Sequence, residues 1–235
     1  NMMININFLL IPEIVLILGI IAILLISVFI NKNSFKFSLY SSLILLIITS
    51  FLVLLNYQDS FINNNKLFIT NLFIINFKIL IIISSILVLL IMENYFQDLK
   101  INKFEVPILI LFSVFGMLVM ISSNNLMSMY LGIEIQSLSL YILASINRKS
   151  LKSSEAGLKY FILGALSSAF LLYGCSLIYG FTGSLNFEDI YQKISVFNNL
   201  NIGLIFGLIF VITSLGFKIS AVPFHMWAPD VYEGS

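Results

Sequence analysis

A lysine and a proline stand close together in the run Gly216-Phe217-Lys218-Ile219-Ser220-Ala221-Val222-Pro223-Phe224-His225. The residues that precede Lys218 are apolar enough to form a membrane-spanning helix. Proline lacks an amide hydrogen and clashes with the preceding helical turn, so we expect this helix to break around residues 220–222. A broken helix is tolerated in a membrane only where protein or water satisfies the freed backbone groups. Lys218 is therefore predicted to face protein or water rather than lipid.

The composition indicates a membrane protein. Of the 235 residues, 60% are hydrophobic and 10% are charged, whereas a soluble domain carries roughly a quarter charged residues. The net charge of +1 gives no indication of nucleic-acid binding, and none is expected. The single cysteine, Cys175, is interpreted as a packing residue. We therefore expect an all-α polytopic membrane protein embedded in a lipid bilayer.

Apolar runs near the roughly 20 residues that a bilayer requires predict seven spans. They cover residues 8–30, 37–56, 74–93, 105–122, 125–146, 155–180 and 201–221. Residues 185–197 are predicted to form either a short interfacial helix on the outer side or a solvated loop.

Basic residues predict the orientation in the membrane. The loops after the second, fourth and sixth spans hold only Lys66 and Lys193. Those after the first, third and fifth spans hold many more: Lys32, Lys36, Lys100, Lys103, Arg148, Lys149 and Lys152. By the positive-inside rule, the basic loops face the matrix or cytoplasm, and Asn1 faces outside.

Four charged residues fall within the spans: Lys78, Glu134, Lys159 and Lys218. A charge in hydrocarbon costs at least about 2.5–3.5 kcal/mol by insertion scales, so such residues are usually functional. Glu134 lies near mid-depth of the fifth span, and Ser137 shares its helical face. Burial disfavours a charged carboxyl group and a nearby ammonium favours it. Glu134 is therefore expected either to bind and release a proton or to form a structural ion pair with a lysine.

The other ionisable residues are open to more than one interpretation. Lys159 follows the predicted helix cap Ser153-Ser154, and its side chain either snorkels to the inner surface or points inward toward Glu134. His225 either relays a proton or hydrogen-bonds the opened backbone. Lys78 is explained by snorkelling at the outer end and is assigned no role. The acidic residues at span edges are expected to be interfacial: Glu13, Glu93 and Glu105.

Several binding motifs are missing from the sequence. There is no phosphate-binding lysine–glycine loop, dinucleotide glycine fingerprint, cysteine cluster or pair of span histidines. We therefore expect no cofactor and no metal on this chain, whether nucleotide, flavin, iron–sulfur cluster or haem. The glycines of the sixth span are predicted to serve close helix packing: Gly157, Gly164, Gly174 and Gly180.

Three blocks resemble NADH dehydrogenase subunit 2 of mitochondrial respiratory complex I and its bacterial counterpart. They are LGIEIQSLSLY (131–141), EAGLKYFILGA (155–165) and FKISAVPFHMWAPDVYEGS (217–235). The resemblance implies an antiporter-like helix bundle, here with about seven transmembrane helices and a broken seventh helix at Pro223. Residues 1–104 would form transmembrane helices 1 to 3. Residues 105–235 would form the first part of an antiporter-like inverted repeat.

The resemblance also implies a function. Members of this family translocate protons in the membrane arm of complex I, driven by quinone reduction elsewhere in the complex. By position, Glu134, Lys159 and Lys218 match the family's proton path, and with His225 they are the candidate site residues of an inner half-channel. The implied partners are other membrane-arm subunits of complex I. Family members are longer, so we expect stable folding only with a second polypeptide or a further carboxyl-terminal half.

Location and function each have alternatives. Heavy use of Ile, Asn, Phe and Lys is typical of an A+T-rich genome, so we expect the mitochondrial inner membrane, with a bacterial plasma membrane as the alternative. Two alternative functions stay open. The chain could instead be a subunit of a multisubunit cation/proton antiporter, or a purely structural part of the membrane arm. Retention of all three ionisable positions argues against the structural interpretation.

Overall fold

The computed structural model describes residues 10–30, 33–55, 61–62, 67–98, 103–147, 149–196 and 201–235. Within these ranges the chain forms nine α-helices and one short hairpin, divided between two compact units, Asn1–Ser123 and Asn124–Ser235. Several residues of the topology prediction lie outside the described residues: Asn1, Lys32, Lys66, Lys100 and Arg148.

The first unit is a four-helix bundle. Its elements are α1 (Ile11–Phe29), α2 (Ser34–Leu55), a hairpin of β1 (Phe61–Ile62) with β2 (Ile69–Thr70), α3 (Leu72–Asp98) and α4 (Glu105–Ser122). Both α1 and α3 pack against α2 and α4. Fully buried aliphatic side chains fill the centre of the bundle: Leu16, Ile20, Leu46, Ile82, Leu89, Leu111 and Leu118.

The second unit is arranged around one long helix. Its elements are α5 (Leu126–Ala144), α6 (Leu151–Thr182), α7 (Phe187–Val196), α8 (Ile202–Lys218) and α9 (Trp227–Gly234). The 32-residue α6 packs against each of the other four. It packs most extensively against α8. Glycine at position 174 permits this close approach, because the Cβ atom of any other residue would lie only 2.8 Å from the carbonyl oxygen of Gly207.

The predicted packing role of the α6 glycines is confirmed at three positions and wrong at one. Added Cβ atoms at Gly157, Gly164 and Gly174 would collide with neighbouring helices. At Gly180 no described residue lies within 4 Å of an added Cβ atom, so none of them requires a glycine there.

Within the described ranges, six helices are long and apolar enough to cross a membrane, and they correspond to the first six predicted spans. The chain is therefore a multi-pass, all-α membrane protein. The sixth span begins earlier than predicted, at Leu151, because the Ser150 side chain accepts a hydrogen bond from the Ser153 amide at 3.3 Å. The predicted cap at Ser153-Ser154 is thus wrong. The Ser153 hydroxyl instead donates to the Ala144 carbonyl at 2.9 Å.

The seventh apolar helix, α8, has 17 residues and ends at Lys218. Turns follow over residues 219–226, where Ser220 has a left-handed φ of 55°, and then α9 begins. The interruption therefore starts slightly before the predicted residues 220–222. A single broken, membrane-crossing seventh helix at Pro223 stays a prediction. So does the repeat boundary at 104/105, although the structure groups Glu105–Ser122 with the preceding helices.

The segment predicted as an interfacial helix or a loop is helical, Phe187–Val196. Asp189 accepts hydrogen bonds from Ser184 Oγ at 3.0 Å and Asn186 Nδ2 at 3.2 Å. Lys193 Nζ donates to the Thr182 carbonyl. The helical alternative is confirmed, and its position at a membrane surface stays a prediction.

Candidate proton-transfer site

Glu134 and Lys218 lie together in the second unit. The Asn125 side chain caps α5 by accepting a hydrogen bond from the Met127 amide at 2.8 Å, and Glu134 lies near the middle of this helix. Lys218 is the last residue of α8. Its Nζ is 3.2 Å from Glu134 Oε1, and the two side chains are 15% and 20% exposed. The predicted ion pair between Glu134 and a lysine is therefore present, and the lysine is Lys218.

Two serine hydroxyls complete this cluster. Lys218 Nζ donates to Ser168 Oγ at 2.9 Å and to Ser137 Oγ at 3.3 Å. Ser168 Oγ in turn donates to Glu134 Oε1. The sequence analysis noted Ser137 but missed Ser168. The available signal was the adjacent hydroxyl pair Ser167-Ser168 in the middle of an apolar span.

A second serine pair fixes α6 against α8 one turn away from Lys218. Ser214 Oγ donates to the Ser167 carbonyl at 2.6 Å, and Ser167 Oγ donates to the Ser214 carbonyl at 3.2 Å. Both residues are buried. Because Ser167 precedes Ser168 and Ser214 lies four residues before Lys218, this reciprocal bonding fixes the distance between the Ser168 hydroxyl and the Lys218 ammonium.

The cluster has the donors and acceptors that proton transfer requires. Ser168 Oγ accepts from the ammonium and donates to the carboxylate, so it connects the two charged groups through hydrogen bonds. Opposite charges 3.2 Å apart attract by about 5 kcal/mol at an effective dielectric constant of 20. Neutralising either partner therefore removes this attraction.

Lys159 is placed elsewhere. Its Nζ lies 2.8 Å from Asp230 on α9 and 2.9 Å from Glu155 on its own helix, and its side chain is 42% exposed. The alternative in which Lys159 points inward to Glu134 is therefore wrong. Asp230 was missed because its depth in the membrane cannot be judged from the last residues of the sequence.

His225 is exposed in the turns that follow α8. In the described part of the chain, the side chain that hydrogen-bonds the backbone at the end of α8 is Trp227. Its Nε1 donates to the Phe217 carbonyl at 3.1 Å. Trp227 is buried and stacks on Tyr160 with ring centroids 4.8 Å apart. The hydrogen bond predicted for the histidine is thus made by the tryptophan, and the relay role of His225 stays a prediction.

The first unit contains a different ion pair. Lys78 Nζ lies 2.5 Å from Glu13 Oε1, and the residues are 3% and 4% exposed. The snorkelling predicted for Lys78 is therefore wrong, whereas the interfacial depth predicted for Glu13 stays a prediction. The attraction between the two groups holds both of them inside the bundle.

Metal-ligating side chains are dispersed. Within the described ranges, no three His, Cys, Asp or Glu residues are placed to hold a metal ion. That this chain carries no cofactor of its own stays a prediction.

Comparisons with known proteins agree with this architecture. A family model described as NADH:quinone oxidoreductase/Mrp antiporter, transmembrane, matches residues 123–235. NADH-quinone oxidoreductase subunit N from Pelagibacter ubique is 52% identical over 233 residues, covering 98% of this chain and 48% of that protein. Subunit N from Bartonella bacilliformis is 48% identical over 227 residues, covering 97% and 46%.

A solved structure is similar as well. A chain of respiratory complex I from Thermus thermophilus with bound aureothin matches with a TM-score of 0.77 at 28% identity, over 95% of this chain and 47% of that chain. The present chain spans about half the length of the curated relatives it matches. The similarity extends through the first three helices, beyond the blocks that carry the resemblance in sequence. The chain belongs to the family of NADH-quinone oxidoreductase subunit N.

Proposed function

We propose that this chain forms a proton-translocating half-channel of a membrane-arm subunit in NADH-quinone oxidoreductase. The observation that supports this best is the cluster of Glu134, Ser168 and Lys218 in an apolar helix bundle. A buried ion pair adds little to stability, because desolvating two charges offsets most of their attraction. The feature that favours proton exchange here is the Ser168 hydroxyl, which connects the two partly exposed charges.

In this proposal the cluster works by alternating charge. A proton that reaches Glu134 neutralises the carboxylate and removes the attraction that holds the Lys218 ammonium. Lys218 then releases its proton more easily, and Glu134 recovers its charge when the proton that it carries moves on. Lys159 and His225 are proposed as further groups of the path. Lys159 stands nearer the start of α6, and His225 follows Lys218 in the turns.

The proposed partners are other membrane-arm subunits of complex I, together with the part of the subunit that the relatives have and this chain does not cover. Redox cofactors would be held by other subunits. The relatives named above are bacterial, which favours a plasma membrane. The A+T-rich residue usage keeps the mitochondrial inner membrane as the alternative.

The test is Glu134→Gln and Lys218→Met in the assembled complex. We expect each to lower the number of protons pumped per NADH oxidised, because each removes one exchangeable charge. Lys152→Met is the matched control: it removes an ammonium from the same unit, in an ion pair with Glu233 whose side chains are 75% and 76% exposed. Unchanged stoichiometry in an assembled complex with either cluster variant would show that the proposal is wrong.

A cation/proton antiporter subunit is the second candidate, because the matching family includes antiporters. Co-purification separates the two. A complex I subunit should co-purify with flavin and iron–sulfur subunits, whereas an antiporter subunit should not.

A further inference from the structure

The hydroxyl group of Tyr141 is buried without a hydrogen-bond partner among the described residues. Tyr141 is 5% exposed and lies near the end of α5. Buried polar groups are almost always paired, so an unpaired hydroxyl requires an explanation. A phenylalanine would fill the same space without leaving a polar group unsatisfied.

Tyr141 lies on the same side of α5 as the Glu134–Lys218 cluster. It follows Glu134 by seven residues, which is two turns or about 10 Å along the helix. Its hydroxyl packs against Gly164 of α6, where a Cβ atom would collide with it. The Gly164 carbonyl oxygen lies 3.0 Å from Ser168 Oγ and is the second acceptor, besides Glu134, within reach of its single proton. The Tyr141 hydroxyl is therefore next to the helical turn that carries Ser168.

Tyr141 also lies between the two groups of charges in the second unit. Lys159 precedes Ser168 by nine residues, or about 13 Å along α6. A lysine side chain is too short to cross that distance, and Lys159 is held by Asp230 and Glu155. Gly164, which contacts the Tyr141 hydroxyl, is near the midpoint of this interval. The ring of Tyr160, adjacent to Lys159, meets the Tyr141 ring edge-on at 4.6 Å.

A cavity of about 380 Å³ reaches Tyr141 at this end of the two helices. Its polar side chains are Ser145 at the end of α5 and Ser154 in the first turn of α6. It opens near the basic loop that is predicted to face the matrix or cytoplasm. The volume is many times what one water molecule needs. Water in this cavity would lie beside Tyr141, whose hydroxyl oxygen is itself buried next to it.

We propose that the Tyr141 hydroxyl relays protons from this cavity to the Glu134–Ser168–Lys218 cluster. A hydronium ion in the cavity gives a proton to the phenol oxygen. In the same step, the phenol passes its own proton to a second water molecule, which delivers it to Glu134 Oε1. Only O–H bonds break and form, and the phenol is neutral before and after. This inference rests on the proposed function, since a relay matters only if the cluster carries protons.

The first test is Tyr141→Phe in the assembled complex, with Tyr160→Phe as the matched control. Both changes remove one phenol oxygen from the same pair of contacting rings. We expect Tyr141→Phe to slow proton pumping by about a hundredfold, the lower end of what one proton-transfer group contributes. We expect Tyr160→Phe to pump as wild type does. Wild-type pumping by Tyr141→Phe, with Glu134→Gln defective in the same membranes, would refute the relay alone. Wild-type pumping by both would refute the proposed function as well.

A second test does not depend on removing the group. Difluorotyrosine placed at position 141 keeps the ring and the hydroxyl but makes the phenol more acidic. We expect the pH profile of pumping to move to lower pH, with assembly unchanged. A pH profile identical to wild type would overturn the relay, because a residue that only fills space would be insensitive to phenol acidity.

Discussion

Removing one member of the buried Glu13–Lys78 pair should destabilise the first unit strongly. In Lys78→Met the Glu13 carboxylate loses the ammonium 2.5 Å from Oε1, while Oε2 already has no partner among the described residues. The nearest remaining donor is the Ser122 hydroxyl, at 3.5 Å, and it is better bonded to the Leu118 carbonyl at 2.7 Å. A buried carboxylate would thus be left nearly unsatisfied.

Two considerations bound the magnitude of this effect. Breaking a buried ion pair by removing one partner typically costs about 3–5 kcal/mol. The carboxylate can instead take up a proton, which at pH 7 costs a glutamate of ordinary acidity about 3.7 kcal/mol. We therefore expect Lys78→Met to lower the free energy of unfolding by about 3–4 kcal/mol.

The assay is the labelling rate of a buried thiol in the first unit. Ser85 is buried on α3 two turns after Lys78, so Ser85→Cys in a Cys175→Ser background reports local opening. Mass spectrometry of the labelled peptide separates this thiol from those of other subunits. With opening fast relative to labelling, a loss of 3 kcal/mol speeds labelling by about 100-fold.

The control is the double change Glu13→Gln with Lys78→Met, which removes both charges. We expect it to label at close to the wild-type rate, since a buried pair replaced by neutral groups is often neutral or stabilising. The reasoning would be refuted by a Lys78→Met protein that labels as slowly as wild type at pH 7. A double variant whose thiol is labelled as fast as that of Lys78→Met would refute the reasoning too.

Two further predictions concern topology and packing. Single cysteines at Lys149 and Glu188 should be labelled from opposite sides, Lys149→Cys from the matrix or cytoplasm and Glu188→Cys from outside, and the reverse pattern would overturn the orientation. Gly174→Ala should lower the free energy of unfolding by about 1–3 kcal/mol, because the added Cβ atom would collide with the Gly207 carbonyl. Gly180→Ala, with open space around its Cβ, should be neutral or stabilising, and equal losses from both changes would contradict the packing argument.

The spans could be predicted because hydrophobic length is set by the bilayer rather than by neighbouring helices. Helix ends could not, because single side-chain bonds decide them. The Ser150 hydroxyl starts α6 before the predicted cap. At the other end of the unit, α8 stops at Lys218, several residues short of Pro223. Proline indicates that an interruption must occur nearby, and the local backbone decides where it begins.

The charged residues of the candidate site could be predicted from the sequence, but which lysine pairs with Glu134 could not. A charge in an apolar run stands out in any sequence, so Glu134 and Lys218 could be identified. Which lysine reaches Glu134 depends on which helices are neighbours and at what level. The sequence distance from Glu134 to Lys159 is 25 residues and that to Lys218 is 84, yet Lys218 makes the contact. Ser168 was harder still, because serines are common in membrane helices as packing residues.

The two acid–lysine pairs differ in the property that proton exchange requires. Glu13 and Lys78 are almost fully buried, and among the described residues no hydroxyl group connects the ammonium to the carboxylate. Glu134 and Lys218 remain partly exposed, and Ser168 both accepts from one and donates to the other. A proton can leave a pair only if another group or water can receive it. The first pair should therefore affect stability and leave pumping unchanged once both charges are removed, whereas removing either charge of the second should lower the number of protons pumped per NADH oxidised.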